Sequence, residues 1–372
     1  MTIRAKIVGV SGLLAVALGC SESVGPQNRS LGGPRFDVTW GSVNGTLGES
    51  GTLLIKGFDG GNPRQGDAII ATFVWLGSSD IIASVTDVKT TNPYTPLGNK
   101  FNRVEYVTSG GISMATYVAT NVQAVVTDGY VHAVEANLSQ PVTDGGVVIS
   151  AWSGVYPTFG TALGAHRSAS GSGSTSTVAD PGSIPVAAGA LAYGVSMSNG
   201  ALALDRPVGF TSIGTGSDAA MVVDGEFALP ASAGSVDPQW TWVFNSPSTW
   251  LATVFALNEA PTKLVVTVQP ATSLPCPATI QPPVEVTAKD DKGNTVTAFN
   301  GQVTMSIGRQ AGALMPGKLS GTVTVAAVNG VARFSNLCID QLSTPGDGYT
   351  LQATAPEVNL SVESSRFSIG VL

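Results

Sequence analysis

Apolar and polar residues alternate along much of the chain with a period of two. The alternation is cleanest in Leu264/Val266/Val268, Val284/Val286/Ala288, Val303/Met305/Ile307 and Val323/Val325. Successive side chains of a strand point to opposite faces, so these segments predict strands with one buried face. Upstream the pattern thickens. Ala68–Leu76 is apolar at nearly every position, which predicts a central strand covered on both sides. Further strands are predicted over 81–88, 113–119, 130–137, 147–152, 190–196, 219–229, 240–244 and 250–257. Asn44-Gly45, Gly60-Gly61-Asn62-Pro63, Asp128-Gly129, Asp144-Gly145-Gly146 and Asp224-Gly225 supply turns between them. No segment carries the helical period.

Composition agrees with an all-β chain. Its 45 glycines and 22 prolines suit turns and oppose long helices, and charged residues make up only 12% of the sequence, against about 25% in ordinary soluble domains. Solubility then rests on Ser, Thr, Asn and Gly. The 18 basic and 25 acidic residues form no basic patch or stripe, which excludes the nucleic-acid-binding class.

The strand pattern divides into two regions. Residues 35–259 predict about ten short strands, the pattern of a two-sheet sandwich of jelly-roll type. Ser168–Thr177, SASGSGSTST, reads as a surface loop inside that domain. After a hinge at Glu259-Ala260-Pro261, residues 262–372 match an immunoglobulin-like sandwich in size. Region 35–259 resembles an all-β module of exported bacterial proteins in GDAIIATFVW, ISMATYVATNV, ALGAHRSASGSGS, GALAYGVSMSNG and STWLATVFALN; that module has no assigned chemistry. Region 262–372 resembles the bacterial Ig-like domains of surface adhesins in LVVTVQP, VEVTAKDDKGNTVTAFNGQVTMSI, LSGTVTVAAVNGVARFSNLCID and GYTLQATA. The second resemblance implies a spacer or adhesion module with no catalytic residues.

Arg4 and Lys6 precede an apolar run over Ile7–Leu18 that is too short to cross a bilayer core of about 30 Å. Residues 1–19 therefore read as an export signal peptide. Ala17-Leu18-Gly19-Cys20 resembles the lipobox of bacterial lipoproteins through Gly19 and Cys20, which implies lipidation of Cys20 and anchoring to a membrane. Residues 20–34 then form the lipidated cysteine and a polar, Gly/Ser/Pro-containing tether. Ser21, where inner-membrane lipoproteins typically carry Asp, implies the outer membrane and the cell surface. The remaining cysteines, Cys276 and Cys338, leave one intramolecular pairing in an oxidising compartment, so a disulfide is expected.

Candidate chemistry is sparse. His132 lies in a predicted strand and His166 in a predicted loop, and neither sits in a nucleophile motif. Gly214-Thr-Gly216-Ser-Asp-Ala219 lies between strand patterns and reads as a turn, and no cofactor is predicted. Asp224 and Glu226 share a strand face by spacing, yet Asp224-Gly225 reads as a hairpin turn. Asp290, Asp291 and Asn294 crowd oxygen ligands that could hold Ca²⁺, an arrangement that a solvated turn explains as well. Trp240 and Trp242 project from one strand face; they are a platform for sugar rings if exposed and core if buried. The leading reading is a non-enzymatic surface lipoprotein with a binding, adhesion or structural role toward a glycan or another surface protein. A carbohydrate-binding module and a sandwich-fold glycosidase or lyase are the alternatives.

Overall fold

The computed structural model describes residues 35–38, 50–58, 61–125 and 129–370. The predicted signal peptide, the predicted lipidation site Cys20 and the predicted tether lie outside them. The described chain is almost entirely antiparallel β, with one helical turn at Phe159–Ala162 and one 3-10 turn at Pro356–Val358. No helix among the described residues is long and apolar enough to cross a membrane.

Nine strands come first: β1 (Arg35–Val38), β2 (Gly51–Gly57), β3 (Ala68–Leu76), β4 (Ile82–Lys89), β5 (Thr95–Pro96), β6 (Asn102–Ser109), β7 (Ile112–Ala119), β8 (His132–Val142) and β9 (Gly145–Ser153). They form an inner sheet in the order β1-β9-β3-β7-β6 and an outer sheet β2-β8-β4-β5. Ten more follow. These are β10 (Leu163–Gly173), β11 (Ser176–Ala179), β12 (Ile184–Val186), β13 (Leu191–Ser198), β14 (Ala201–Asp205), β15 (Thr211–Ser217), β16 (Val222–Ala228), β17 (Gly234–Val236), β18 (Trp240–Phe244) and β19 (Ser248–Leu257). Their inner sheet runs β10-β19-β13-β16-β15, their outer sheet β11-β18-β14, and β12 pairs with β17. With the short strands β5, β12 and β17 left out and the others counted from the start of each half, both inner sheets run 1-8-3-6-5 and both outer sheets run 2-7-4. The second half repeats the topology of the first.

The expected single two-sheet sandwich is thus two sandwiches stacked inner sheet to inner sheet. Ile69, Ala71, Phe73 and Trp75 on one face of β3 pack against Leu54, Val134 and Ala136 of the first outer sheet. The opposite face, Ile70 and Val74, joins Met114, Val148 and Trp152 in a core with Tyr193, Val195, Leu251 and Phe255 of the second half. Beyond the second inner sheet, Trp250 and Ala252 meet Trp240, Trp242 and Phe244. An inner sheet covered on both faces needs apolar residues at consecutive positions, and that is why β3 and β19 lack alternation. The pattern at Ala68–Leu76 predicted such a strand.

Two segments expected as loop or turn are strands. Ser168–Thr177 continues β10 into β11, with Ala169 opposite Ala252 and Gly171 opposite Trp250. A side chain at Gly171 would meet the Trp250 indole at 2.5 Å, so small residues are what let that edge strand lie beneath the ring. Gly214–Ser217 belongs to β15, paired with β16 around an irregularity between Ser212 and Gly214. The true turn comes next, where the Asp218 carboxylate accepts the Ala220 and Met221 amides at 2.7 and 2.8 Å.

Nine strands complete the fold: β20 (Lys263–Val268), β21 (Val284–Lys289), β22 (Gln302–Ile307), β23 (Leu319–Ser320), β24 (Thr324–Ala326), β25 (Val331–Phe334), β26 (Cys338–Ile339), β27 (Leu351–Ala355) and β28 (Leu360–Glu363). They make sheets β20-β21-β25 and β24-β22-β27-β28, with β23 paired to β26. Of the alternating residues seen in the sequence, Leu264, Val266, Val284, Val286, Ala288, Val303 and Met305 are buried in this third sandwich, and Val268, Ile307, Val323 and Val325 are half-buried. Cys276 and Cys338 form a disulfide with their Cα atoms 5.3 Å apart and 62 residues of separation. It ties the segment before β21 to β26.

Closing a loop of that length removes unfolded-state entropy worth about 4 kcal/mol. Replacing both Cys276 and Cys338 by Ser is expected to lower the stability of the third sandwich by up to about that amount, read as a reduced denaturant midpoint. Alkylation of the unreduced, unfolded protein is expected to leave both residues unmodified.

Candidate functional site: a buried acid pair beneath Arg206

Asp224 and Glu226 lie in the middle of β16, not in a hairpin turn. Asp224 pairs across the sheet with Ser196, Glu226 with Gly194, and on the other side they oppose Thr215 and Ser212 of β15. The Asp-Gly dipeptide suggests a turn, but Val222-Val223 before it and Phe227-Ala228 after it sustain a strand. Being two apart, the two carboxylates share the face that looks toward the second outer sheet. Both residues are fully buried.

That face is polar because the covering sheet supplies partners. Trp240 Nε1 donates to Asp224 Oδ2 at 2.9 Å, and the Thr215 hydroxyl donates to Asp224 Oδ1. Arg206, in the connection between β14 and β15, brings Nε to 3.3 Å from Asp224 Oδ1 and 3.0 Å from Glu226 Oε1. A terminal nitrogen of the same guanidinium donates to Thr215 Oγ1 at 2.7 Å. Gly194 makes this geometry possible, since a Cβ there would lie 2.8 Å from the Trp240 ring. Without that close approach, the indole N–H could not reach the carboxylate.

Two carboxylates facing one guanidinium leave one acid too many. Burial, reinforced by the charge and hydrogen bond of Asp224, pushes the Glu226 carboxyl up to about 8. Glu226 therefore holds its proton at neutral pH. In chemical terms the site is a buried acid pair capped by a half-exposed cation. Glycoside hydrolysis requires carboxyl groups about 5–9.5 Å apart, with space for the sugar between them. Here Arg206 bridges the two carboxylates and closes them off.

The aromatic candidates are core. Trp240 and Trp242 have no exposed surface, and Trp242 Nε1 donates to Ser196 Oγ at 3.0 Å. Both indoles face the inner sheet, which corrects the sugar-stacking alternative. A cleft of about 320 Å³ lies beside them, lined in part by Leu202, Leu204, Thr215, Asp218 and Trp242.

The other titratable candidates are dispersed. His132 is buried, with Nε2 2.7 Å from Asp87 Oδ2, and Asp87 also accepts the Asn99 backbone N–H at 3.2 Å. His166 lies in β10 instead of a loop, its Nδ1 2.6 Å from Glu105 Oε1 on β6. Glu105 also accepts Ser168 Oγ at 3.1 Å. In that order, Glu105 stands between the hydroxyl and the imidazole, so the imidazole is not placed to take the serine proton.

Asp290 closes its own turn, accepting the Asn294 backbone N–H at 2.7 Å and side-chain amide at 2.9 Å. Burial pushes its carboxyl up, but hydrogen bonds from Asn294, Gly293 and Lys292 outweigh this and hold it below the usual range. Asn294 thus offers Asp290 its amide nitrogen, a donor unsuited to a cation. The turn that was the Ca²⁺ candidate with Asp291 is held by hydrogen bonds. Among the described residues, no three of His, Cys, Asp and Glu gather into a metal-binding group.

The raised Glu226 value has a signed consequence. An acid whose value is higher folded than unfolded binds its proton more tightly in the folded state. Its contribution is complete below about 4.5 and is lost as pH rises through about 8. Wild-type stability is expected to fall over that window by an amount on the order of a few kcal/mol. Glu226→Gln, which mimics the protonated acid, is expected to flatten this part of the profile in denaturant titrations between pH 4 and 9. A variant with the wild-type slope would refute the assignment. Arg206→Ala is expected to cost about 1–3 kcal/mol at pH 7, because it removes the cation that faces both buried carboxylates.

No protein-family model matches the chain, and no curated protein matches it.

Proposed function

We propose that the chain is an exported, lipid-anchored protein of the bacterial cell surface, with a binding, adhesion or structural role and no chemistry of its own. The observation that carries this reading is the use of its three cysteines. Cys276 and Cys338 are joined, as suits an oxidising compartment, and Cys20 alone remains, at the end of an apolar run behind Arg4 and Lys6. A cysteine at that place serves as an acylation site. The rest of the reading follows the resemblances: residues 35–259 as a duplicated jelly-roll-like module, and residues 262–372 as a bacterial Ig-like domain that spaces or presents it.

Two properties of the fold support a non-enzymatic role. The carboxylates of Asp224 and Glu226 are fully buried between sheets, beneath an Arg206 guanidinium that faces both. The two aromatics best spaced for sugar stacking are buried, so recognition falls to the loops and strand edges, toward another surface macromolecule.

Metabolic labelling with palmitate tests the anchor. The wild-type chain is expected to incorporate label and to partition into membranes, and Cys20→Ser is expected to lose both. Label retained by the Ser variant would overturn the proposal. Protease added to intact cells is expected to degrade the wild-type chain, and full protection would rule out surface display.

A further inference from the structure

We propose that Glu259 is a pH-sensitive wedge between the stacked sandwiches and the third sandwich, holding them docked when protonated and loosening them when ionised. The crossing between the two parts is short. On one side, Glu259 forms a bridge with Val155, the Ala260 amide donates to Gly154 O at 2.9 Å, and the Tyr156 amide donates to Asn258 O at 3.0 Å. On the other, the Thr262 amide already donates to Lys289 O at 2.9 Å. Only Pro261 stands between these two sets of bonds, so a change in the environment of Glu259 acts directly on the junction.

Glu259 is an unusual residue for such a place, being only 6% exposed. Its carboxyl packs against Gly189, in the turn before β13. A Cβ on that glycine would lie 2.0 Å from Glu259 Oε2, so the absence of a side chain makes the space the acid occupies. The charged groups facing it come from the turn after β21: Asp290 and Asp291, both acidic, and Lys292. Glu357 of the third sandwich also acts electrostatically on Tyr156 across the junction. Burial, and secondarily that carboxylate, push the Tyr156 phenol upward, so it stays neutral. Asp290, held below the usual carboxylate range, keeps its negative charge. Ionising Glu259 therefore places a buried anion opposite two others with one lysine among them.

The cost of that charge falls on docking. Burial first, and then Asp290, raise the Glu259 carboxyl to about 7. A group bound more tightly to its proton in the docked state favours docking fully below its free value of 4.5 and loses that effect as pH climbs through about 7. The opening equilibrium is expected to rise by up to about tenfold per pH unit within that window and to level off above it.

Amide hydrogen exchange of the full-length chain tests this, reading the peptide over 258–263 in wild type and in Glu259→Gln at matched pH from 5 to 9. Gln retains the size and neutrality of the protonated acid, and the ratio of the two rates cancels the intrinsic pH dependence of exchange. The ratio is expected to climb at least tenfold between pH 5 and 7 and then to plateau. A ratio constant with pH would overturn the proposal. A ratio that climbs equally in the peptide over 222–228 would also overturn it, because the loosening would then be global.

Discussion

The packing of one inner sheet on the other determines most of what this molecule is. Each inner sheet is a five-stranded layer covered on its other face by an outer sheet, so its central strands have no solvent side. Trp152 of the first half meets Phe227 of the second with ring centroids 4.9 Å apart. Apolar contact at this depth is the main favourable term in folding. With few charges available, the chain builds four layers in which two layers are fully internal.

The repeat in topology lets one half be compared with the other. The face of β7 that looks toward its outer sheet carries Ala115 and Tyr117, in an ordinary apolar core. The same face of β16 carries Asp224 and Glu226. To keep two carboxylates there, the second half recruits Arg206, Thr215 and the Trp240 indole, each an added partner that the first half does without. A buried polar set is tolerated when its members satisfy one another, and breaking it by removing one member is costly. The second half has exchanged part of its apolar core for a directional one.

Much of this was legible in the sequence because strand period is a local signal. Val284/Val286/Ala288 and Val303/Met305/Ile307 alternate in the sequence and in burial, and Ala68–Leu76 announced its two covered faces. The duplication was not legible, because the halves share strand order and not residues: AIIATFVWL in β3 corresponds to LAYGVSMS in β13. Local chemistry also misled in two places. Asp224-Gly225 carries the strongest turn signal available and still lies in mid-strand, because its neighbours on β13 and β15 complete the ladder. SASGSGSTST has the composition of a loop, yet small residues are what an edge strand needs beneath the Trp250 indole. The spacing of Asp224 and Glu226 on one strand face was visible, but their counter-ion was not, since Arg206 is 18 residues from Asp224 and only the fold brings them together.

The stacking also bears on how the chain can come apart. A sandwich with one solvated face can be cut from its neighbour and remain soluble, as modules in a string often do. Here the surface between the halves is the buried face of both inner sheets, so separating them at the helical turn Phe159–Ala162 would bare two apolar sheets. Contiguous apolar surface of that size drives association between molecules. The halves are therefore one cooperative unit despite their separate sheets, and the repeat that made them has left neither able to stand alone.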